Sequence, residues 1–128
     1  MLDELSGGLA DDVPSGARVV SIHCGLNERT RGRIDGAALA LLRRGTVFVN
    51  TARGPIVDEV ALVARARIGD VVFALDVFDE EPLSQRHPLR RIGNVLLTPH
   101  SASKTPDRER HVGAQALDII SAWRGGHP

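Results

Sequence analysis

The sequence predicts an α/β fold, a parallel sheet flanked by helices, and three observations carry that expectation. At 128 residues the chain falls in the range of one compact domain. Its composition, 42% hydrophobic and 25% charged, is that of a chain able to bury a core. Short β-branched runs alternate with helix-forming runs, which implies consecutive strand and helix units and a sheet covered on both faces.

Taken in order, residues 1–16 read as a short helical start and a loop, because Ser6 to Gly16 concentrates small, acidic and turn-forming residues without periodicity. Order is expected from Ala17, with residues 17–128 as one domain. Arg18 to Cys24 is β-branched and closed by Gly25, which predicts a buried strand. Ala37 to Arg44 supplies good helix formers, with Arg43 and Arg44 in the last turn and Gly45 as the stop. Thr46 to Asn50 predicts a second buried strand. After the Arg53-Gly54-Pro55 turn, the run from Val57 to Arg67 places Val57, Val60, Ala61 and Ala64 at helical spacing, and Gly69-Asp70 ends it. Val71 to Leu75 and Asn94 to Thr98 read as two further strands. Thr105 to Trp123 reads as a terminal helix, with Thr105 as N-cap and Pro106 in the first helical position.

Charge and composition exclude several classes of partner. Sixteen basic residues balance sixteen acidic ones, so no global field draws the chain to nucleic acid or anionic lipid. An aromatic content of 3% leaves little for base stacking. Cys24 is the only cysteine, which rules out an intramolecular disulfide and any multi-cysteine metal site. A lone thiol fits a reducing compartment, hence a cytoplasmic expectation. No apolar run approaches the ~18 residues needed to span a bilayer, and the first residues carry no basic segment of a secretion signal.

In open parallel sheets, ligands bind beyond the carboxyl ends of the strands. Polar residues stand there in four segments: His23-Cys24-Gly25, Asn50 to Gly54, Asp76 to Pro82, and Thr98-Pro99-His100. Taken singly, each has an ordinary explanation: Arg53 as a turn arginine, Asp79 to Glu81 as a solvated acidic turn, His100 as a loop histidine. Together, an arginine, an acid and a histidine at strand ends would be brought to one edge. A guanidinium can hold a carboxylate in a fork of hydrogen bonds, while an imidazole can move the proton that accompanies hydride transfer at a carbonyl.

The stretch Asn50-Thr51-Ala52-Arg53-Gly54-Pro55-Ile56-Val57-Asp58-Glu59 resembles the segment around the catalytic arginine of D-isomer-specific 2-hydroxyacid dehydrogenases. Leu75 to Leu83 is similar to the segment holding their catalytic glutamate. His87-Pro88-Leu89 followed by Asn94 to His100 is similar to the approach to their catalytic histidine. Val20 to His23 with Thr30-Arg31-Gly32 looks like the upstream strand and loop of the same domain. The resemblance covers roughly residues 17 to 124.

That resemblance implies the second half of a doubly wound, Rossmann-like NAD-binding domain. It further implies an NAD-dependent oxidoreductase, NADP being an open alternative, acting on a small 2-hydroxy or 2-oxo acid. Arg53 would orient the substrate, His100 would serve as general acid or base, and Glu81 would hold and charge His100. Asp76 would face the nicotinamide carboxamide, while Gly25, Thr51, Ala52, Arg53, His100, Ser101 and Ser103 would line the nicotinamide half of the cofactor. Asp79 and Glu80 are expected as solvated surface, His23 and His87 as structural, Cys24 as packing. No metal site is expected.

The family pattern is incomplete in this sequence. Neither the G-x-G-x-x-G turn that fixes a pyrophosphate nor the acid about 20 residues later is present, and no substrate domain is seen. Gly25 stands where the family usually has proline, and Ser101-Ala102-Ser103-Lys104 replaces apolar and small residues. The expectation is therefore a fragment, poorly active alone, that self-associates or dimerises through a sheet edge left open. A noncatalytic NAD-binding or corepressor-like scaffold module is the competing reading.

Overall fold

The computed structural model describes residues 16–104. Four parallel strands, β1 (Val19–Ile22), β2 (Val47–Asn50), β3 (Val72–Leu75) and β4 (Val95–Leu97), form one sheet in chain order. The register aligns Val20, Phe48, Phe73 and Val95 in one row and Ile22, Asn50, Leu75 and Leu97 in another. Residues two apart on a strand share a face, so both rows look the same way. They meet α1 (Gly36–Ala40) and α2 (Glu59–Ala66) in a single core that includes Ala38, Leu39, Leu62 and Ala66. Phe48 and Phe73 pack tilted at its centre, ring centroids 5.6 Å apart.

The other face of the sheet carries Val19, Val47 and Val72 in one row and Ser21, Val49, Ala74 and Leu96 in the next. None of these joins the core, and Val19 and Leu96 are each 62% exposed. Among the described residues the helices α1 and α2 cover one face of the sheet, and the helix expected at 105–123 lies outside them, but the expectation that β1 is a buried strand is corrected. Val19 and Ser21 are exposed on an edge strand rather than buried.

α1 is shorter than the sequence suggests, and α2 supplies the reason. Asp35 caps α1 by accepting from the Ala38 N–H, yet the helix stops at Ala40, before Arg43 and Arg44. Arg65 of α2 donates to the carbonyls of Leu39 and Leu42, so these need no further helical turn to be satisfied. Arg65 is also paired with Asp70, which fixes the end of α2. Gly45, at φ +82°, then makes the left-handed turn into β2.

The face of α2 also differs from expectation. Leu62 and Ala66 are buried, while Val60 is 82% exposed. Counting from Val57 sets the wrong phase because Val57 is not helical: it pairs with Ile34 in an isolated bridge, and Asp58 caps the helix after it. The expected helix at 105–123 and the expected start at 1–15 lie outside the described residues. Among the described residues, no helix is long and apolar enough to cross a membrane.

Candidate active site

Arg53 follows β2, Glu81 follows β3 and His100 follows β4, so all three belong to segments leaving the same carboxyl edge of the sheet. The structure brings two of them into contact. His100 Nδ1 stands 2.7 Å from Glu81 Oε2, and the other Glu81 oxygen accepts from the Phe78 N–H at 3.0 Å. The bond to His100 holds the Glu81 carboxyl below the usual carboxylate range, partial burial opposes it, and the Phe78 N–H adds to the lowering. Among the described residues His100 Nε2 has no hydrogen-bond partner.

Behind the pair lies Asp76, only 3% exposed. Its Oδ1 accepts from the Thr98 hydroxyl at 2.5 Å and the Ser101 N–H at 2.8 Å, and its Oδ2 accepts from the Ala102 N–H at 2.9 Å. The His100 N–H donates to the Asp76 carbonyl at 2.8 Å. Burial pushes the Asp76 carboxyl up, but the three donors and the nearby His100 outweigh it and leave the group below its ordinary value. This grip shapes the turn in which His100 adopts φ +50°, in the left-handed region. A cleft of about 530 Å³ opens beside the pair, lined by Phe78, Glu81, Leu83, Arg90, Leu97 and His100 among others.

Arg53 belongs to a different neighbourhood. Buried Asn50 accepts from the Ala52 N–H at 3.1 Å and donates to the Arg53 carbonyl at 3.0 Å, which closes the turn after β2. The Arg53 side chain is bonded to the Ala52 carbonyl. It lines a groove of about 430 Å³ with Cys24, Gly25, Thr51 and Ala52. Among the described residues no hydrogen bond or ion pair links Arg53 to Glu81 or His100. Of the residues expected around a cofactor, Gly25, Thr51, Ala52 and Arg53 therefore share this groove, whereas Asp76, His100 and Ser101 form the network at the ends of β3 and β4. Ser103 is exposed on the turn beyond Ser101.

Several lesser expectations can be placed. Cys24 is exposed on the groove, which corrects its reading as a packing residue. His23 is bonded to Ser21 Oγ at 2.8 Å, and His87 stands 3.1 Å from Glu59 Oε1 while accepting from the Leu89 N–H. Asp79 and Glu80 are exposed, although partial burial and then the charge of Glu59 push the Asp79 carboxyl up. Among the described residues no cluster of His, Cys, Asp and Glu could hold a metal ion.

Three residues matter more than the sequence revealed. Asn50 builds its turn by bonding two residues ahead, a signal legible in an asparagine at a strand end. Thr98 clamps Asp76 across neighbouring strands. Arg90 donates to the carbonyls of Leu83 and Ser84, pinning the loop that comes after Glu81. No local pattern marks these last two.

Comparison with known proteins agrees with this geometry. The profile of the D-isomer specific 2-hydroxyacid dehydrogenase NAD-binding domain matches residues 8–102. The chain is 39% identical over 117 residues to a glyoxylate reductase of Aeropyrum pernix, covering 91% of this chain and 35% of that protein. It is 42% identical over 107 residues to an (S)-sulfolactate dehydrogenase of Chromohalobacter salexigens, covering 81% of this chain and 34% of that protein. It therefore spans about a third of the length of these relatives. Among solved structures, a D-isomer specific 2-hydroxyacid dehydrogenase of Xanthobacter autotrophicus in complex with NADPH and MES superposes with a TM-score of 0.76 at 39% identity, over 94% of this chain and 49% of that one. The NAD-complexed enzyme of Lactobacillus delbrueckii gives 0.73 at 28% identity, over 92% and 40%. The strand order, the motif-bearing loops at one sheet edge and these matches agree: the chain belongs to the D-isomer specific 2-hydroxyacid dehydrogenase family, within its NAD-binding domain.

Proposed function

We propose that this chain carries the proton-transfer edge of an NAD-linked oxidoreductase that interconverts a small 2-oxo acid and its 2-hydroxy acid. The observation that supports this most is the pairing of His100 Nδ1 with Glu81, which leaves Nε2 without a partner among the described residues. From Nε2, His100 gives a proton to the substrate carbonyl oxygen in reduction and takes it from the hydroxyl in oxidation. Glu81, bonded to Nδ1, fixes the orientation of the imidazole. Arg53, exposed at the neighbouring strand end, holds the substrate carboxylate.

The groove beside Arg53 fits the nicotinamide half of the cofactor. Its volume of about 430 Å³ suits a small-ligand site, and Gly25 has open space where a Cβ would stand. Gly25, Thr51, Ala52 and Arg53 would hold that half, with Ser101 and Ser103 at the far side. When bound, the nicotinamide supplies or accepts the hydride. Asp76 serves the site through the turn that carries His100, since backbone N–H groups and Thr98 already occupy its carboxylate. NAD is the cofactor proposed, with NADP as alternative. We further propose one domain over residues 17–128, a cytoplasmic setting, and self-association as a homodimer, with neither nucleic acid nor membrane as partner.

The test is NADH oxidation by the purified chain with a panel of 2-oxo acids that includes glyoxylate and hydroxypyruvate. Turnover is expected to be slow, because the sequence contains no G-x-G-x-x-G turn to anchor the pyrophosphate. His100→Gln should lose the chemical step, and Arg53→Ala should raise KM as well. Turnover that survives His100→Gln unchanged would overturn the assignment. NADH binding with no 2-oxo acid reduced would favour a noncatalytic scaffold module instead.

A further inference from the structure

The two halves of the site are joined by the Asp76 N–H, which donates to the Asn50 carbonyl at 3.0 Å, and they meet again at Gly54. A Cβ built on its backbone would lie 2.0 Å from the Phe78 carbonyl carbon, 2.2 Å from its oxygen and 2.5 Å from the Asp79 nitrogen. The obstacle is main chain, so no side-chain rotation relieves it. Gly54 is buried, and the turn that presents it is closed on its other side by the two hydrogen bonds of Asn50. The peptide it abuts begins at Phe78, whose N–H anchors Glu81 Oε1 while Glu81 Oε2 pairs with His100.

We infer that Gly54, held in place by Asn50, is a positioning residue for the Glu81–His100 pair: its bare Cα sets how closely the Phe78–Asp79 peptide approaches, and so where the Glu81 carboxylate stands. Any side chain at position 54 forces that peptide back by about 1 Å merely to reach a tight 3.0 Å contact. A similar retreat of the Phe78 N–H would stretch its 3.0 Å bond to Glu81 beyond hydrogen-bonding distance. Glu81 would then keep one fixed partner instead of two. The inference rests on the proposed proton-transfer role of the pair for its catalytic meaning, while the relay from Gly54 to Glu81 can be read without any turnover.

The experiment is a carbon-13 NMR titration of the Glu81 carboxyl in the full chain, run for the parent, Gly54→Ala, Asn50→Ala and Leu39→Ala. The parent carboxyl stands below the usual range. In Gly54→Ala it should move up towards that range, and kcat for NADH oxidation should fall by about a hundredfold with little change in KM. Leu39→Ala empties a buried site on α1, remote from the pair, and should leave the carboxyl low despite its loss of stability. Asn50→Ala adds no atoms and so serves if Gly54→Ala does not fold; it should raise the carboxyl in the same direction. A folded Gly54→Ala or Asn50→Ala chain whose Glu81 titrates as in the parent overturns the inference. Absence of NADH oxidation in the parent would sink the catalytic reading of the pair and leave the titration to decide on Gly54.

Discussion

The carboxyl edge of the sheet is built in two styles. At the ends of β3 and β4, Asp76, Thr98, Ser101, Ala102, His100, Glu81 and Phe78 form a continuous set of hydrogen bonds around a buried carboxylate. At the ends of β1 and β2, Gly25 and Thr51 are exposed, and the Arg53 side chain is bonded to the carbonyl of its own neighbour. In terms of the proposed function, the half that handles the proton is organised by the chain itself, and the half that holds ligand is completed by the molecule bound there. A proton donor gains from fixed geometry before substrate arrives, whereas a groove must first admit a bulky cofactor.

The largest expected effect that could break this contrast is on stability. Asp76→Ala strands two backbone N–H groups and a hydroxyl in a buried site and should cost about 2–3 kcal/mol in urea denaturation. Thr51→Ala, at the open end, should stay within about 0.5 kcal/mol. Comparable losses would mean that the two ends are equally preorganised.

Acid should act on the same end. Asp76 and Glu81 both titrate below their ordinary values in the folded chain. The unfolded chain therefore binds their protons first, and the stability they contribute is nearly complete above about pH 5 and lost as pH falls through their folded values. Denaturation midpoints measured from pH 7 down should show this decline, and it should be shallower in Asp76→Asn. An unaltered acid slope in that variant would remove Asp76 from the account.

Ligand binding sharpens the contrast from the other direction. NADH should slow amide exchange at Gly25 and Thr51 more than at Ser101 and Ala102, whose N–H groups are already bonded to Asp76. Equal slowing at both pairs would show that the β4 turn is also completed by ligand.

The smallest effect expected is at Asp79. Its carboxyl is pushed up by partial burial and by Glu59, so its contribution to stability falls as pH rises through its titration. Asp79→Asn should give a slight gain at pH 7, within about 0.5 kcal/mol, that vanishes below about pH 4. A loss at neutral pH would show that the charge is used.

The strand ends and the order of the motif residues were legible because both are local: β-branched runs announce strands, and the residues just after each strand of a parallel sheet gather at one edge. The face of α2 was not, since a bridge at Val57 set the phase before Asp58 capped the helix. The length of α1 depended on Arg65, far along the chain, which takes the carbonyls of Leu39 and Leu42. At the site, the sequence identified Asp76 as a residue of note but could not say that Thr98, Ser101 and Ala102 would consume its carboxylate. Contact between Gly54 and the Phe78–Asp79 peptide is equally remote from any spacing rule, because it joins loops from two different strands.

Among the described residues, His100 alone combines a side chain with a left-handed backbone. Such a conformation costs an ordinary L-residue about 1–2 kcal/mol and is accepted readily by glycine or asparagine. Heat resistance and chemistry therefore pull position 100 in opposite directions. A variant library sorted on thermal survival alone should drift towards His100→Gly and His100→Asn, so that its sturdiest descendants are the ones that have discarded their imidazole.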